Sequence, residues 1–514
     1  MMPTPTPTPK PASAPAPHSL DPQDWPAFRA QSHQMLDDML DHLQRLRAEA
    51  AQMPVWQPIP EQARARFKTA LPYAPGDLAQ AHQQFMQDIL PYTAHNAHPA
   101  FMGWVQGGGT PIGMVAEMLA AGLNANLGGR DQMPLEVERQ IVHWMRELFA
   151  FPASANGLFV TGTSMANLLS VLIAKTAVLG SATRQIGLRE TPQQATPPSA
   201  QLVAYTSVAA HGCIAQAMDL SGLGKAALRC IPVNAQHQID IGALQQAITA
   251  DRQAGLRPFF IAANAGTVDI GAIDDLEAIA DLAAREQVWF HVDGACAALG
   301  MMSPEIAPLL KGIQRADSLA FDFHKWGQVQ YDAGFLLVRD GQHQLDAFAA
   351  PAAYLRRATR GLAAGSPWPC DLGPDLSRGF RALKTWFTLK VYGSDQLGQV
   401  MAETCRLARY LVTRIQDIPA LELAAPVALN IVCFQYRPAP EVLVLQNEQL
   451  DQLNADIVAD VHESGIAVPS LTTIDGRLVI RAAIVNHRTC AADVDAMLDA
   501  VLRFGAMRVA QCVG

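Results

Sequence analysis

VWFHVD (288–293) and SLAFDFHKW (318–326) are two apolar, β-type runs that carry ionisable side chains at their ends, Asp293 in the first and Lys325 in the second. A carboxylate closing an apolar strand is costly unless it is paired. Its partner is either a structural arginine or a protonated pyridine nitrogen. Lysine is rarely placed in apolar surroundings without a function, and burial beside Phe323 and Trp326 would lower its pKa from about 10.4 toward the range where a neutral amine attacks carbonyls. The plain alternative is a surface lysine whose stem snorkels.

Working outward, LVAYTS (202–207), PFFIAAN (258–264) and GFLLVR (334–339) are further strand-like runs, and IDDLEAIADLAARE (273–286) is helical between them. This alternation from His98 to Arg339 predicts an α/β unit, a mostly parallel sheet covered by helices on both faces. Ligands of such sheets sit at the carboxyl ends of the strands. In FVTGTSMANLLSVLIAK (159–175) a strand meets Gly162-Thr163-Ser164 and then a helix. Small residues and hydroxyls at a helix N-terminus suit an anionic phosphate, or they simply cap a helix. Ala166 breaks the Gly-x-Ser-x-Gly pattern of a hydrolase elbow. His211 follows LVAYTS directly enough to share that end of the sheet.

The flanks differ in character. Residues 1–20 form a proline-rich lead, and 21–97 read as helical, with Met35, Leu36, Met39, Leu40, Leu43 and Leu46 on one face. These helices are too amphipathic to form a core alone and are expected to clasp a partner subunit. The large domain is placed at 98–390 and a small α+β domain at 391–514. Within them, 340–377 reads as a long Gly, Pro and Ala-rich loop, RALKTWFTLKVYG (381–393) as a helix, LVIRAAIV (478–485) as a strand and AADVDAMLDAVLRF (491–504) as a helix.

The chain has 514 residues, 50% of them hydrophobic and 17% charged, with a formal charge of −9. That balance argues against nucleic-acid binding, and a charged fraction below the usual ~25% points to a buried subunit interface. The eight cysteines form no Cys-x-x-Cys pair, so neither a zinc ribbon nor a disulfide scaffold is read and a reducing, cytoplasmic setting fits. MMPTPTPTPKPASAPAPH (1–18) has no apolar core of a secretory signal, and no uncharged run reaches the ~18 residues of a membrane span. SGLGKA (221–226) lacks P-loop spacing, Gly107-Gly108-Gly109 does not complete a dinucleotide motif, and His95 with His98 has no carboxylate pair to make a metal site; no metal is expected.

A phosphate cradle, a ring stacker, an anion for a ring nitrogen and an amine for a Schiff base together make the set that pyridoxal phosphate requires. With AHPAFMGW (97–104), TGTSMANL (161–168), AYTSVAAHGCIAQA (204–217), NAGTVDIGAID (264–274), WFHVDGACA (289–297), ADSLAFDFHKW (316–326) and SRGFRALKTWF (377–387), the chain resembles the group II pyridoxal-phosphate-dependent decarboxylases, the family of aromatic-L-amino-acid and glutamate decarboxylases. The resemblance implies the aspartate-aminotransferase fold type I with a seven-stranded sheet, and a homodimer with its sites at the interface. By the same resemblance Lys325 is the Schiff-base lysine, His211 the imidazole stacked on the cofactor ring and Asp293 the pyridine partner. Ala295 packs against the ring and Thr267 lies beside its phenolic oxygen. Thr163, Ser164 and His324 hold the phosphate, and Gly393 approaches the partner's phosphate.

Substrate and outcome are less sharply drawn. Trp104 and Val105 resemble an aromatic-substrate wall, which favours decarboxylation of an aromatic L-amino acid to its amine. Arg130 and Asp131 keep an acidic or polar substrate open. Arg481 contacts either the substrate α-carboxylate or the domain's own acids. Relatives carry a tyrosine on the mobile loop that protonates the substrate carbon, and between Arg356 and Arg381 there is none; RGLAAGSPWPCDLGPDLSRG (360–379) has Trp368 as its only aromatic. Either another acid, His211 or a water, supplies the proton, or the outcome shifts toward an aldehyde. The usual asparagine before the lysine is Asp322 here, which calls for a compensating charge near the phosphate. A protein that has kept the fold for binding or regulation is the non-enzymatic alternative.

Overall fold

The computed structural model describes residues 19–188, 201–349, 358–365 and 367–513. It divides into two units, one comprising the chain up to Ala48 with Ile59–Thr93, the other Glu49–Pro58 with Ala94 onward.

The first unit is helical. Its long helix, Trp25–Ala48, begins where Asp24 accepts the Ala27 N–H at 2.9 Å, a side-chain cap for an otherwise orphaned donor. Short helices follow at Glu61–Ala65 and Leu78–Gln84, and Arg66 grips Asp88 with two hydrogen bonds of 2.8 and 2.6 Å. The apolar stripe expected on the long helix is present but unevenly covered: Leu46 is buried, Leu40 exposed, and Trp25 at its start is 54% exposed.

The second unit holds two sheets. The larger contains β1 (Asn156–Val160), β2 (Leu202–Ser207), β3 (Leu228–Ile231), β4 (Arg257–Asn264), β5 (Trp289–Asp293), β6 (Ser318–Asp322) and β7 (Gly334–Val338), in the order β1-β7-β6-β5-β4-β2-β3. The β3/β2/β4/β5/β6 pairs are parallel, and β7 runs antiparallel to β6 and β1. This is the seven-stranded, mostly parallel sheet expected. β4 to β7 are buried almost throughout, so both faces carry apolar residues and alternation is lost. β3 was invisible in the sequence because it is a four-residue edge strand with a half-exposed LRCI pattern.

The core beneath the site is aromatic. Phe159, Phe321, Phe323 and Phe335 are buried, with ring centroids 5.0 to 5.7 Å apart. Such edge and tilted contacts lock ring positions better than aliphatic packing does. Gly334 permits the closest approach here: a Cβ on it would stand 2.4 Å from the Cα of Gly162, so β7 presses directly on the turn that begins the helix Thr163–Leu179.

The smaller sheet is antiparallel, with β8 (Leu421–Leu423), β9 (Ile431–Tyr436), β10 (Ser470–Ile474) and β11 (Arg477–Ala483) ordered β10-β11-β9-β8. Asp475 and Gly476, both at positive φ (48° and 76°), form the two-residue turn between β10 and β11, the geometry that matches strand twist. Helices Asn447–Glu463 and Ala491–Val513 accompany it.

Two boundaries are corrected. The helix expected to end at Gly393 continues as Arg381–Gln416, with Gly393 (φ 70°) as a kink inside it. The expected loop 340–377 contains a helix, Gly341–Phe348, started by Asp340 accepting the Gln342 N–H at 2.9 Å. The helical spacing of Leu345 and Phe348 was masked by the Gly, Pro and Ala content on either side.

Candidate active site

The carboxyl ends of the central strands open into a cavity of about 400 Å³. Asp293 closes β5 in register with Asn264 of β4 and Ala320 of β6, and Asp322 closes β6. Lys325 follows on the next turn and is braced from behind. Gly107 donates its N–H to the His324 carbonyl at 3.2 Å, and a Cβ there would lie 2.3 Å from the Lys325 carbonyl oxygen. That close approach explains the glycine run that had no motif to belong to. Trp326 is buried and donates Nε1–H to Thr404 Oγ1 at 3.0 Å.

Lys325 Nζ lies 2.8 Å from Asp322 Oδ2. Burial works against the ammonium, but Asp322, Cys296 and Asp293 outweigh it and hold Lys325 above the ordinary lysine range. The expectation of a lowered value is therefore corrected: the strand that delivers the amine also delivers its counter-ion, and the charge that Asp322 called for is Lys325 itself. Asp322 Oδ1 also accepts the Thr163 N–H at 2.8 Å, capping a helix whose own Ncap, Gly162, has no side chain to do so. Thr163 Oγ1 is buried there with no hydrogen-bond partner. An orphaned hydroxyl at a helix N-terminus, next to a lysine, is a donor set that fits a phosphorylated carbonyl cofactor.

Asp293 is 6% exposed and, among the described residues, makes no ion pair within 4.0 Å, so the structural arginine that the sequence left open is not beside it. Its Oδ2 accepts from Asn167 Nδ2 at 2.8 Å and its Oδ1 from the Ala295 N–H at 3.1 Å. Burial pushes its carboxyl up, while the Ala295 N–H, Lys325 and Asn167 pull the other way.

Most of the residues picked from the sequence line this cavity: Thr163, Ser164, His211, Asp293, Ala295, His324 and Lys325, together with Trp104, Val105 and Arg481. His211 accepts the Cys213 N–H on Nδ1 at 3.2 Å. His324 accepts the Ala333 N–H at 3.0 Å and packs its ring against Tyr331, tilted by 36° with centroids 4.3 Å apart, and burial holds it below the usual histidine range. Arg481 donates to the carbonyls of Asp269, at 3.0 Å, and Val268, and to Ser470 Oγ at 3.1 Å; none of these partners is a carboxylate. Thr267 does not line the cavity; its Oγ1 accepts the Ala272 N–H at 3.0 Å, between the lining residues Gly266 and Val268. Gly393 is also absent from the lining and sits at its helix kink, and Arg130 lies 5.2 Å over the Trp368 ring.

Sequence reasoning missed several neighbours. Asn167 and Cys213 stand against Asp293, and His291, two residues before Asp293 on the same strand face, bonds Asn167. The period of two along a strand was the available signal. Tyr331 lines the cavity and follows no recognisable pattern. The reading of a tyrosine-free loop rested on too narrow a window: 340–377 contains Tyr354, two residues before Arg356, and it lies outside the described residues.

With this geometry in place, comparisons with known proteins are informative. Residues 60–437 match the family described as the pyridoxal-dependent decarboxylase conserved domain. Among similar proteins, the aromatic-L-amino-acid decarboxylase of Bacillus atrophaeus is 30% identical over 466 residues, covering 90% of this chain and 92% of its own. The phenylacetaldehyde synthase of Arabidopsis thaliana is 27% identical over 479 residues, covering 90% and 93%. The crystal structure of Oryza sativa TDC with PLP and tryptamine shares the fold at a TM-score of 0.84 and 22% identity, over 96% of this chain and all of that one. The chain thus belongs to the pyridoxal-dependent decarboxylase family, and it is a pyridoxal-phosphate-dependent lyase that decarboxylates an amino acid.

Proposed function

We propose that the protein converts an aromatic L-amino acid to the corresponding amine, with Lys325 as the residue that holds the cofactor covalently. The observation that carries the reading is the convergence of Lys325, Asp293, His211 and Arg481 on one cavity. Pyridoxal phosphate, when bound, supplies a protonated ring that accepts the electron pair left by departing carbon dioxide. Asp293 would serve the ring nitrogen, His211 and Ala295 would hold the ring and Thr267 its phenolic oxygen, and Thr163, Ser164 and His324 would hold the phosphate. The unpaired Thr163 hydroxyl supports that assignment.

Arg481 binds and orients the substrate carboxylate, a role supported by a guanidinium whose bonds end on carbonyls and a hydroxyl. Trp104 and Val105 form the wall for an apolar side chain. His211, which lines the cavity, or a water held there keeps the proton delivered to the substrate α-carbon, which favours amine over aldehyde. Exposure of Trp104 (54%) and Tyr331 (49%) at the cavity, and of Trp25 on the N-terminal helix, supports a homodimer whose second subunit covers these surfaces and brings Gly393 to the neighbouring phosphate. The division into a lead at 1–20, a clasp at 21–97, a cofactor domain at 98–390 and a small domain at 391–514 is kept as part of this reading. Eight free thiols favour the cytoplasm, and no described helix is long and apolar enough to cross a membrane.

The test is incubation of the holoenzyme with the common L-amino acids and DOPA, with products identified by mass. Amines from aromatic substrates are expected. Amines only from acidic substrates would transfer the specificity to Arg130 and Asp131. Aldehyde with oxygen uptake and peroxide from the wild type would overturn the amine assignment, and amine with no oxygen uptake would support it.

A further inference from the structure

The polar chain behind Asp293 has one possible direction. Asn167 (0% exposed) touches Asp293 through Nδ2 at 2.8 Å and His291 Nε2 through Oδ1 at 2.8 Å. His291, also 0% exposed, touches Ser318 Oγ through Nδ1 at 2.8 Å, and Ser318 Oγ accepts Trp289 Nε1–H at 2.8 Å. A carboxylate only accepts, so Asn167 must present its N–H to Asp293 and its oxygen to His291. That places the His291 proton on Nε2, and Nδ1 accepts the Ser318 hydroxyl. Every donor from Trp289 onward therefore points at Asp293. Phe260 stacks on the His291 ring at 5.3 Å and 22°, fixing its plane. Burial holds His291 at about 3, so the ring is neutral at working pH and adds no charge of its own.

We propose that Asn167, His291 and Ser318 are positioning residues that keep Asp293 ionised and aimed at the cofactor's ring nitrogen, through an aligned relay of neutral hydrogen bonds. The proposal rests on the reading that Asp293 faces that nitrogen. Its physical logic is solvent replacement. A carboxylate taken from water loses its hydration, and Asp293 has no cation within ion-pair distance among the described residues to compensate. Oriented dipoles that polarise one another supply the missing field without cancelling the charge that the ring must feel. A lysine or arginine in place of Asn167 would neutralise Asp293 and compete with the ring. The titratable groups that face Asp293 are Lys325 and Asp322 from the end of β6, Cys213 from the helix Cys213–Leu220, and Cys296 from the turn after β5. Burial first, and Asp293 next, push the Cys213 thiol up to about 12, so it too remains a neutral donor. Asp322 is occupied by Lys325 and the Thr163 N–H. The relay is thus what remains to offset burial on the Asn167 side.

The experiment loads wild type, Asp293→Ala, His291→Phe, His291→Gln and Ser318→Ala with ring-15N pyridoxal phosphate. It reads the nitrogen's protonation by NMR against pH, and cofactor affinity by titration. His291→Phe keeps the stacking on Phe260 but breaks the relay. It should shift the nitrogen toward its unprotonated resonance and weaken cofactor binding about tenfold, the scale on which outer partners of a site act. His291→Gln, which can still donate to Asn167, should restore most of both, and Ser318→Ala should fall between. If Asp293→Ala alone moves the nitrogen, the relay proposal is wrong while the role of Asp293 stands. If Asp293→Ala leaves the nitrogen protonated, the underlying reading fails instead. Should His291→Phe not fold, Ser318→Ala with a wild-type resonance and affinity is the overturning result.

Discussion

The two walls of the cavity hold their charges by opposite means. On the Lys325 wall, an ammonium and a carboxylate pair directly at 2.8 Å, and a buried threonine hydroxyl beside them is left without a partner. On the Asp293 wall no counter-ion among the described residues pairs with the carboxylate, and its oxygens are served by Asn167, Ala295 and, at 3.9 Å, the Cys213 sulfur. The difference teaches what each wall is for. A charge that must be given up during turnover is best parked on a neighbouring charge, and a charge that must act on a ligand throughout is best supported by fixed neutral dipoles.

Breaking the Lys325 wall has the largest expected effect. Lys325→Ala should lower turnover by on the order of 10³-fold or more, since it removes the amine proposed to attach the cofactor. Borohydride treatment followed by peptide mass analysis should then find no pyridoxyl adduct, and an adduct elsewhere would remove this lysine from its role. Next comes the opposite wall: Asp293→Ala should reduce kcat by on the order of 10² to 10³, the cost of removing one preorganised electrostatic group, with little loss of thermal stability. A smaller change sharpens the contrast between the walls. Asp322→Asn removes the direct counter-ion and leaves burial, so the pH at which Lys325 becomes reactive toward the cofactor should move down by about 1 to 3 pH units, measured from the pH dependence of cofactor binding.

The last effect concerns stability rather than turnover. Burial holds His291 down to about 3 in the folded chain against 6.5 as its ordinary value. The unfolded chain therefore binds the extra proton between those limits, and stability declines as pH falls from about 6.5 toward 3, by up to about 1.4 kcal/mol per pH unit. Denaturation midpoints of His291→Gln should lose that part of the acid sensitivity, and an identical slope in both proteins would contradict a neutral buried imidazole.

Much of this arrangement was legible in the chain. Apolar runs ending at Ser207, Asn264, Asp293 and Asp322 are strands because each is long enough to cross a sheet and too apolar to face water. Strands of one parallel sheet bring their carboxyl ends together, so His211, Asp293 and Lys325 had to meet. Gly334 shows the limit: nothing in GFLLVR says that its missing side chain makes room for Gly162. Tyr331 shows another, since it lines the cavity yet no periodicity marks it.

The sequence by itself determined the central strands, because apolar runs of strand length act locally along the chain, and its ordered motifs carried the family resemblance and the identity of the ionisable groups. Only the tertiary structure decided the electrostatic state of those groups. Burial alone would have pushed Lys325 down, and Asp322 reversed the sign. Asn167 and His291 reach Asp293 through distances that no spacing encodes. Charge in a protein interior is set by which dipoles and ions surround it, and that is a property of the packed arrangement.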